Sequence, residues 1–302
     1  MQLLPGYLQL YRSGRLEKIA GSLLDIGECC SICPHNCGVD RTRTKTGFCR
    51  SSLVPVVSSF QSHFGEESPL VGRHGSGTIF FTHCNMRCIF CQNYEISHLG
   101  CGREVSYDDL ALMMLTLQER GCHNINFVTP THMVYAIVKA LLLAVPKGLK
   151  VPLVYNSGGY DSADTLTLLE GVFDIYMPDI KYADSLRGFE LSGIEGYAEA
   201  AKSAVREMHR QVGDLKLDKR GIAYRGLLIR HLVLPNDCAG TNRVIDFIVQ
   251  ISTNTYLNLM DQFRPVYRAE EHPALRRRVG LKEYDDALEY AHRQGLSRAG
   301  RG

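Results

Sequence analysis

Six short runs of apolar residues recur between residues 77 and 265, and polar, Gly or Pro residues end each of them. Their length and their content of Val, Ile, Leu, Phe and Tyr are typical of β-strands. Because the apolar residues are nearly continuous, we expect strands that are buried on both faces. The runs are GTIFF (77–81), NINFVTP (124–130), VPLVYNSGG (151–159), FDIYMPDIK (173–181), GLLIRHLVLP (226–235) and YLNLMDQFRP (256–265).

Segments with helical patterns lie between most of these runs. SYDDLALMMLTLQERG (106–121) begins at a residue suited to an N-cap, Ser106, and stops at Gly121. Three further segments follow the same pattern: HMVYAIVKALLLAVP (132–146), GYAEAAKSAVREMHRQVG (196–213) and TNRVIDFIVQIS (241–252). Strands that alternate with helices predict an α/β fold with a parallel sheet and right-handed crossovers. We expect a partial (βα)6 TIM-like barrel, with an open, doubly wound sheet as the alternative.

The chain divides into three parts. Residues 1–72 form a cysteine-rich N-terminal extension that reads as loop-like after its cysteines, and residues 73–265 form the partial barrel. Residues 266–302 form a C-terminal tail with an amphipathic helix at about 282–294, which we expect to pack over the barrel. The chemistry is expected at the carboxyl ends of the parallel strands.

Composition narrows the function classes. The 302 residues include 34 basic and 32 acidic side chains, a balance that predicts neither nucleic-acid nor membrane binding. No apolar run approaches 20 residues, and the N-terminus lacks a basic segment before an apolar core, so we expect a cytoplasmic protein. Five of the 11 cysteines lie between residues 29 and 49, and three lie between 84 and 91. In a reducing compartment, such clusters favour metal binding over disulfides.

The second of these clusters follows the first predicted strand directly. Cys84, Cys88 and Cys91 have the spacing C-x3-C-x2-C, and no fourth cysteine lies close by. Short gaps of this kind are typical of iron–sulfur ligands, and three protein ligands on a cubane leave one iron open. The alternatives are three buried thiols or a zinc site completed by His83 or His98.

The stretch CNMRCIFC resembles the signature of the radical S-adenosylmethionine (SAM) enzymes. With its flanks, GSGTIFFTHCN and CQNYEIS, it is similar to the branch related to pyruvate formate-lyase activating enzyme. SHFGEESPLVGRHGSGTIFF and INFVTPTH resemble an uncharacterised subgroup of that branch. The resemblance implies a [4Fe–4S] cluster on Cys84, Cys88 and Cys91, with SAM bound to the open iron. It also implies a 5′-deoxyadenosyl radical that abstracts hydrogen, and a one-electron donor of the flavodoxin or ferredoxin type.

Polar residues at the other strand ends are candidates for SAM binding. Asn156 and Ser157 end the third predicted strand, where the amide and hydroxyl suit the ribose or the methionine amine. Asp179 and Lys181 end the fourth strand and resemble a D-x-K pair that contacts SAM in the activating enzymes. An ordinary surface ion pair is the alternative for these two residues.

The second predicted strand departs from the pattern of the superfamily. Many members have a G-G-E-like stretch there, which binds the SAM amine, whereas this chain has Thr129-Pro130-Thr131-His132. Thr129 and Thr131 offer hydrogen bonds but no carboxylate, and His132 is either a pocket residue or a first-turn helix residue. Asp261 and Gln262, at the sixth strand, are further candidates.

The N-terminal cluster offers a second set of thiols. Cys30, Cys33, Cys37 and Cys49 have the spacing C-x2-C-x3-C-x11-C, which fits structural zinc or an auxiliary iron–sulfur cluster, with free thiols as the alternative. The adjacent Cys29 is a spare or alternative ligand. Three basic residues of the same loop either neutralise the thiolates or are solvated: Arg41, Arg43 and Lys45. We expect the isolated cysteines to be buried small hydrophobes, and they are Cys101, Cys122 and Cys238.

Three functions remain open. The first is a radical SAM enzyme that acts on a protein or peptide, by analogy with glycyl-radical activation. The second is a radical SAM enzyme with a small-molecule substrate. The third is a non-catalytic iron–sulfur or zinc protein that transfers electrons or supports a complex.

Overall fold

A mostly parallel β-sheet forms the centre of the computed structural model, which describes residues 4–301. Each of the six predicted runs contains one parallel strand, so the predicted α/β partial barrel is confirmed. The strands are β1 (Val56–His63), β2 (Ser76–Phe81), β3 (Arg103–Glu104), β4 (Ile125–Val128), β5 (Leu153–Ser157), β6 (Ile175–Pro178), β7 (Lys216–Leu217), β8 (Ala223–Leu232), β9 (Tyr256–Met260) and β10 (Ala299–Gly300). Their order is β10-β9-β8-β6-β5-β4-β2-β1-β3, and β7 pairs with β8. The two edges, β10 and β3, do not meet, so the sheet stays open on one side.

Helices connect the parallel strands and cover the outer face of the sheet. The helices are α1 (Gly6–Arg12), α2 (Arg15–Glu28), α3 (Ser68–Val71), α4 (Tyr94–Ser97), α5 (Tyr107–Glu119), α6 (Val134–Ala144), α7 (Ala163–Leu168), α8 (Ser185–Ser192), α9 (Tyr197–Val212), α10 (Thr241–Ile251) and α11 (Leu281–Arg293). Ser106 is the N-cap of α5, as predicted. Its hydroxyl accepts the Asp109 N–H at 3.0 Å, and the Asp109 carboxylate accepts the Ser106 N–H at 3.1 Å. This capping box satisfies backbone donors that the first turn leaves unpaired.

Strand register decides which side chains face the inside of the barrel. Ile125, Phe127 and Tyr155 belong to the apolar core between the sheet and its helices. Residues of the opposite parity, such as Asn126 and Asn156, point inward, because successive side chains of a strand alternate between faces. The interior therefore carries polar groups at the level of the strand centres, and these groups are potential ligand contacts.

The N-terminal part differs from the loop-like segment that the sequence predicted. α1 and α2 precede its cysteines, whereas β1 and α3 lie after them, where the loop-like segment was predicted. β1 pairs antiparallel with β2, with Phe60 opposite Ile79. The prediction was wrong because β1 is half-exposed and rich in serine, so it lacks a continuous apolar run. In α2, the buried residues at positions 16, 19, 20 and 23 follow a helical spacing, so the sequence did contain a signal for this helix.

The C-terminal part contains the predicted helix as α11, whose buried residues are Tyr284, Ala287 and Ala291. β10 then pairs in parallel with β9. Both outer parts of the chain thus add a strand to the central sheet, and the division at residues 72 and 265 stays a prediction. Within residues 4–301, no helix combines the length and the apolar character needed to cross a bilayer.

Candidate active site

The loop after β2 carries three cysteines at the carboxyl end of the parallel sheet. Cys88 is buried, and Cys84 and Cys91 are half-buried. Each thiol has a polar neighbour: the Met86 N–H donates to Cys84 Sγ at 3.3 Å, the Ser192 hydroxyl donates to Cys88 Sγ at 3.0 Å, and the Ser97 hydroxyl lies 3.1 Å from Cys91 Sγ. Hydrogen bonds to sulfur are one of the means by which proteins tune iron–sulfur clusters.

Burial makes two of these thiols, Cys84 and Cys88, poor anions in the absence of a cation. It raises the pKa of Cys84 to about 12, with a further contribution from the neighbouring Cys88. Burial also raises the pKa of Cys88, although the Lys181 ammonium opposes the shift. Since thiolates are the species that bind metal, the positively charged iron–sulfur core of a cluster would supply the compensation that the loop lacks. The three-thiol donor set thus fits a cubane cluster with one open iron.

The zinc alternative for this loop has no support in the described residues. No group of three or more His, Cys, Asp or Glu side chains within residues 4–301 is placed to hold a single metal ion. Burial, aided by Arg87, lowers the pKa of His83, and burial likewise lowers that of His98. A cubane places its ligands farther apart than a single ion does, so the three cysteines remain the predicted cluster ligands.

A cavity of about 440 Å³ opens beside the cysteine loop and reaches into the barrel. Cys88 and Cys91 line it, together with charged side chains from β8, from the segments directly after β6 and β10, and from the loop between β1 and α3. Its volume lies within the range of small-molecule sites. The charged lining residues are Glu66, Glu67, Asp179, Lys181, Arg230 and Arg301.

An ion network crosses this cavity and includes the predicted D-x-K pair. Lys181 Nζ donates to Asp179 Oδ2 at 2.6 Å, and Arg230 Nε donates to Asp179 Oδ1 at 2.8 Å. Burial alone would raise the pKa of Asp179, but Arg230 and Lys181 together hold it below its usual value. Burial works against the charge of Lys181, yet Asp179 and Cys88 raise its pKa overall. The pair is therefore ionised, largely buried and next to a predicted cluster ligand, which excludes an ordinary surface ion pair.

Sequence reasoning missed the partners of this pair. Arg230 also donates to Asn156 Oδ1 at 2.7 Å and lies 3.6 Å from Glu67. Glu67 accepts the Asn258 amide at 3.0 Å, while burial, opposed by Arg230, raises the pKa of Glu66 to about 7. A signal for Arg230 existed, since it is a charged residue inside the apolar run GLLIRHLVLP. The two glutamates lie in a loop within SHFGEESPLVGRHGSGTIFF, a stretch whose family resemblance assigned them no role.

Two of the remaining residues that were predicted to bind SAM, Thr131 and Ser157, contact the buried Asp161 instead of the ion network. Thr131 Oγ1 donates to Asp161 Oδ1 at 2.7 Å, and the Ser157 hydroxyl donates to Asp161 Oδ2 at 2.6 Å. Asp161 is buried and also accepts the Tyr155 hydroxyl at 2.8 Å. Neither Thr131 nor Ser157 lines the cavity beside Cys88. Their roles in SAM binding stay predictions, as does that of Asn156, which the structure joins to the ion network through Arg230.

The turn after β4 contains Thr129, whose role in SAM binding stays a prediction. Thr129 adopts a positive φ of 59°, and its N–H donates to the Asn156 carbonyl at 2.9 Å. His132 is buried, with Nε2 2.8 Å from the Thr82 carbonyl. Of the further candidates, Gln262 lines the cavity, whereas Asp261 forms an ion pair with Arg301.

The isolated cysteines divide into two groups. Cys122 and Cys238 are buried, as predicted, but the prediction for Cys101 was wrong because its side chain is exposed. Cys101 lies between Gly100, with φ of 73°, and Gly102, in a surface loop that offers no apolar cover. Cys29 is also exposed, and it does not line the small void that is shared by the four thiols at positions 30, 33, 37 and 49.

Comparisons with known proteins agree with this arrangement. Residues 78–214 match the family model of the radical SAM superfamily. The chain is 33% identical over 299 residues to the uncharacterized protein MJ0674 of Methanocaldococcus jannaschii, covering 93% of this chain and 82% of that protein. Its fold is similar to that of HydG, a maturase of the [FeFe]-hydrogenase, with a TM-score of 0.53 and 11% identity over 74% of this chain. This chain spans 50% of the length of HydG, and the likeness concerns the fold alone. With its cysteine loop at the carboxyl end of a parallel partial barrel, the chain belongs to the radical SAM superfamily, whose members use a [4Fe–4S] cluster and SAM.

Proposed function

We propose that the protein is a radical SAM enzyme that abstracts a hydrogen atom from a protein or peptide substrate, as glycyl-radical activating enzymes do. When bound, the reduced cluster and SAM supply a 5′-deoxyadenosyl radical. Cys84, Cys88 and Cys91 hold the cluster in this proposal. Lys181 binds the SAM carboxylate, and Asp179, fixed between Lys181 and Arg230, accepts a hydrogen bond from the SAM amine or ribose.

The observation that carries the proposal is the shape of the site. The cavity beside Cys88 has about 440 Å³, near the lower end of the range for small-molecule sites, so bound SAM would fill much of it. The reacting atom of a substrate then has to enter from the rim. The sheet is open between β10 and β3, and the exposed Phe64 stands at that rim between His63 and Gly65, which both line the cavity. An exposed aromatic side chain beside an open cleft suits a polypeptide loop.

The proposal includes a one-electron donor of the flavodoxin or ferredoxin type, because reductive cleavage of SAM requires an electron from outside the chain. It also includes a cytoplasmic location. All 11 cysteines are free in the structure, which suits a reducing compartment.

The test begins with protein that is reconstituted with iron and sulfide under anaerobic conditions. With SAM and dithionite it is expected to form 5′-deoxyadenosine and methionine, and the triple variant C84A/C88A/C91A is expected to form neither. Extract from the source cells is then separated by size and added to the reaction. The macromolecular fraction should stimulate 5′-deoxyadenosine formation, and protease treatment should remove the stimulation. Stimulation by the low-mass fraction alone would assign a small-molecule substrate instead.

A further inference from the structure

The four N-terminal thiols enclose a void of their own. Cys30, Cys33 and Cys49 are buried and Cys37 is half-buried, and all four line this void together with Ile32, Val39 and Phe48. Backbone hydrogen bonds shape the loop: the Cys30 N–H donates to the Val39 carbonyl at 3.0 Å, and the Gly38 N–H donates to the Cys30 carbonyl at 3.0 Å. Four thiols that line one largely buried void are an arrangement suited to a metal cofactor.

The placement of the four thiols distinguishes between cofactors. Zinc binds four thiolates at about 2.3 Å, so its ligands must converge on one point. Within residues 4–301, no three His, Cys, Asp or Glu side chains are placed to hold a single ion. The four thiols share the lining of one void without converging on a single-ion site, and a polynuclear cluster, whose irons bind thiolates at separate corners, suits such a set better.

A buried cation beside the void lacks an anionic partner. Arg41 is 1% exposed and donates to three backbone carbonyls, those of Ser51 at 3.0 Å, Ser52 at 2.8 Å and His132 at 2.6 Å. No ion pair between Arg41 and a carboxylate is present in the described residues. A buried guanidinium without a counter-ion is costly, and an anionic thiolate-bound cluster would compensate its charge.

The void also adjoins the first cysteine loop. The Arg87 guanidinium donates to the Cys84 carbonyl at 2.7 Å and to the Phe48 carbonyl, and it lies 4.6 Å from the centre of the Phe48 ring. His35 Nε2 lies 2.9 Å from the carbonyl oxygen of Asn85. Contacts of Arg87 and His35 therefore join the loops that carry the two thiol sets.

We propose that Cys30, Cys33, Cys37 and Cys49 bind a second cubane [4Fe–4S] cluster, and not zinc, in magnetic contact with the first cluster across Arg87 and Phe48. Each of the four thiols binds one iron of this cluster, so the second cluster has no open iron and does not bind SAM. The assignment goes beyond the proposed reaction and holds whatever the substrate is.

The test compares three variants of the full chain after anaerobic reconstitution with iron and sulfide. The parent is expected to bind about eight irons, and both C84A/C88A/C91A and C30A/C33A/C37A/C49A are expected to bind about four. The exposed Cys29, which does not line the void, provides the control C29A, with parental iron content. In the dithionite-reduced parent, electron paramagnetic resonance should show a spin–spin interaction that is absent from both cluster-deletion variants.

Iron and zinc analysis of C84A/C88A/C91A decides the question even if the quadruple variant does not fold. About four irons in this triple variant support the second cluster. One zinc without iron, or no metal at all, overturns it. A folded quadruple variant with the full iron content of the parent would also overturn it.

Discussion

Arg230 is expected to be the electrostatic centre of the active-site cavity. Its side chain is 16% exposed and donates to Asp179 at 2.8 Å and to Asn156 at 2.7 Å, with Glu67 at 3.6 Å. Replacement of Arg230 by Met removes the charge and keeps much of the volume. The carboxylates of Asp179 and Glu67 then lose their main cation. Breaking a buried ion pair in this way costs about 3–5 kcal/mol, so we expect R230M to lower the free energy of unfolding by that amount.

A double-mutant cycle with D179N isolates the pair from other effects of the substitution. Hydrogen bonds to charged groups contribute about 1.5–3 kcal/mol, and we expect a coupling free energy in this range. The matched control is the surface pair Lys282–Asp286, which has a similar N–O distance of 2.9 Å but side chains that are 86% and 60% exposed. Its coupling should be about 0.3–0.5 kcal/mol.

The cycles are measured by urea unfolding of the reduced, metal-free protein, followed by circular dichroism at neutral pH. Burial, and not distance, is expected to set the strength of the Arg230–Asp179 pair, and this expectation has two refuting outcomes. It is refuted if both cycles give the same small coupling, or if R230M unfolds at the urea concentration of the parent.

Three further predictions address separate parts of the molecule. K181A should weaken SAM binding by roughly 10–150-fold with the iron content unchanged, because a charge-assisted hydrogen bond is lost; calorimetry with parental affinity would place the SAM carboxylate elsewhere. Burial lowers the pKa of His231 from 6.5 to about 4. Between these two pH values, His231 therefore binds a proton in the unfolded chain but stays neutral in the folded chain. The free energy of unfolding should therefore fall by about 3 kcal/mol between pH 6.5 and pH 4 on account of this residue, and H231Q should flatten that slope. S106A removes the N-cap of α5 and should cost about 1 kcal/mol in urea unfolding; no change would show that the capping hydrogen bonds seen in the structure do not stabilise the helix.

The sequence by itself determined the features that depend on neighbouring residues. The six apolar runs became the six parallel strands, because strand burial follows from local composition. Ser106 capped its helix, since capping involves residues three positions apart. The three-cysteine spacing pointed to the radical SAM superfamily, because a single loop carries all three thiols.

Only the tertiary structure decided which distant residues meet. Arg230 contacts Asp179 across 51 positions and Asn156 across 74, and Asn258 contacts Glu67 across 191. Such contacts depend on strand order and on register between strands, and neither leaves a trace in local periodicity. The hydroxyl of Thr131 could bind SAM by its position in the chain, yet the fold directs it to the buried carboxylate of Asp161, 30 residues away. Polar side chains pair with whichever buried group the packing brings within reach, because leaving such a group unpaired costs more than the pairing contributes.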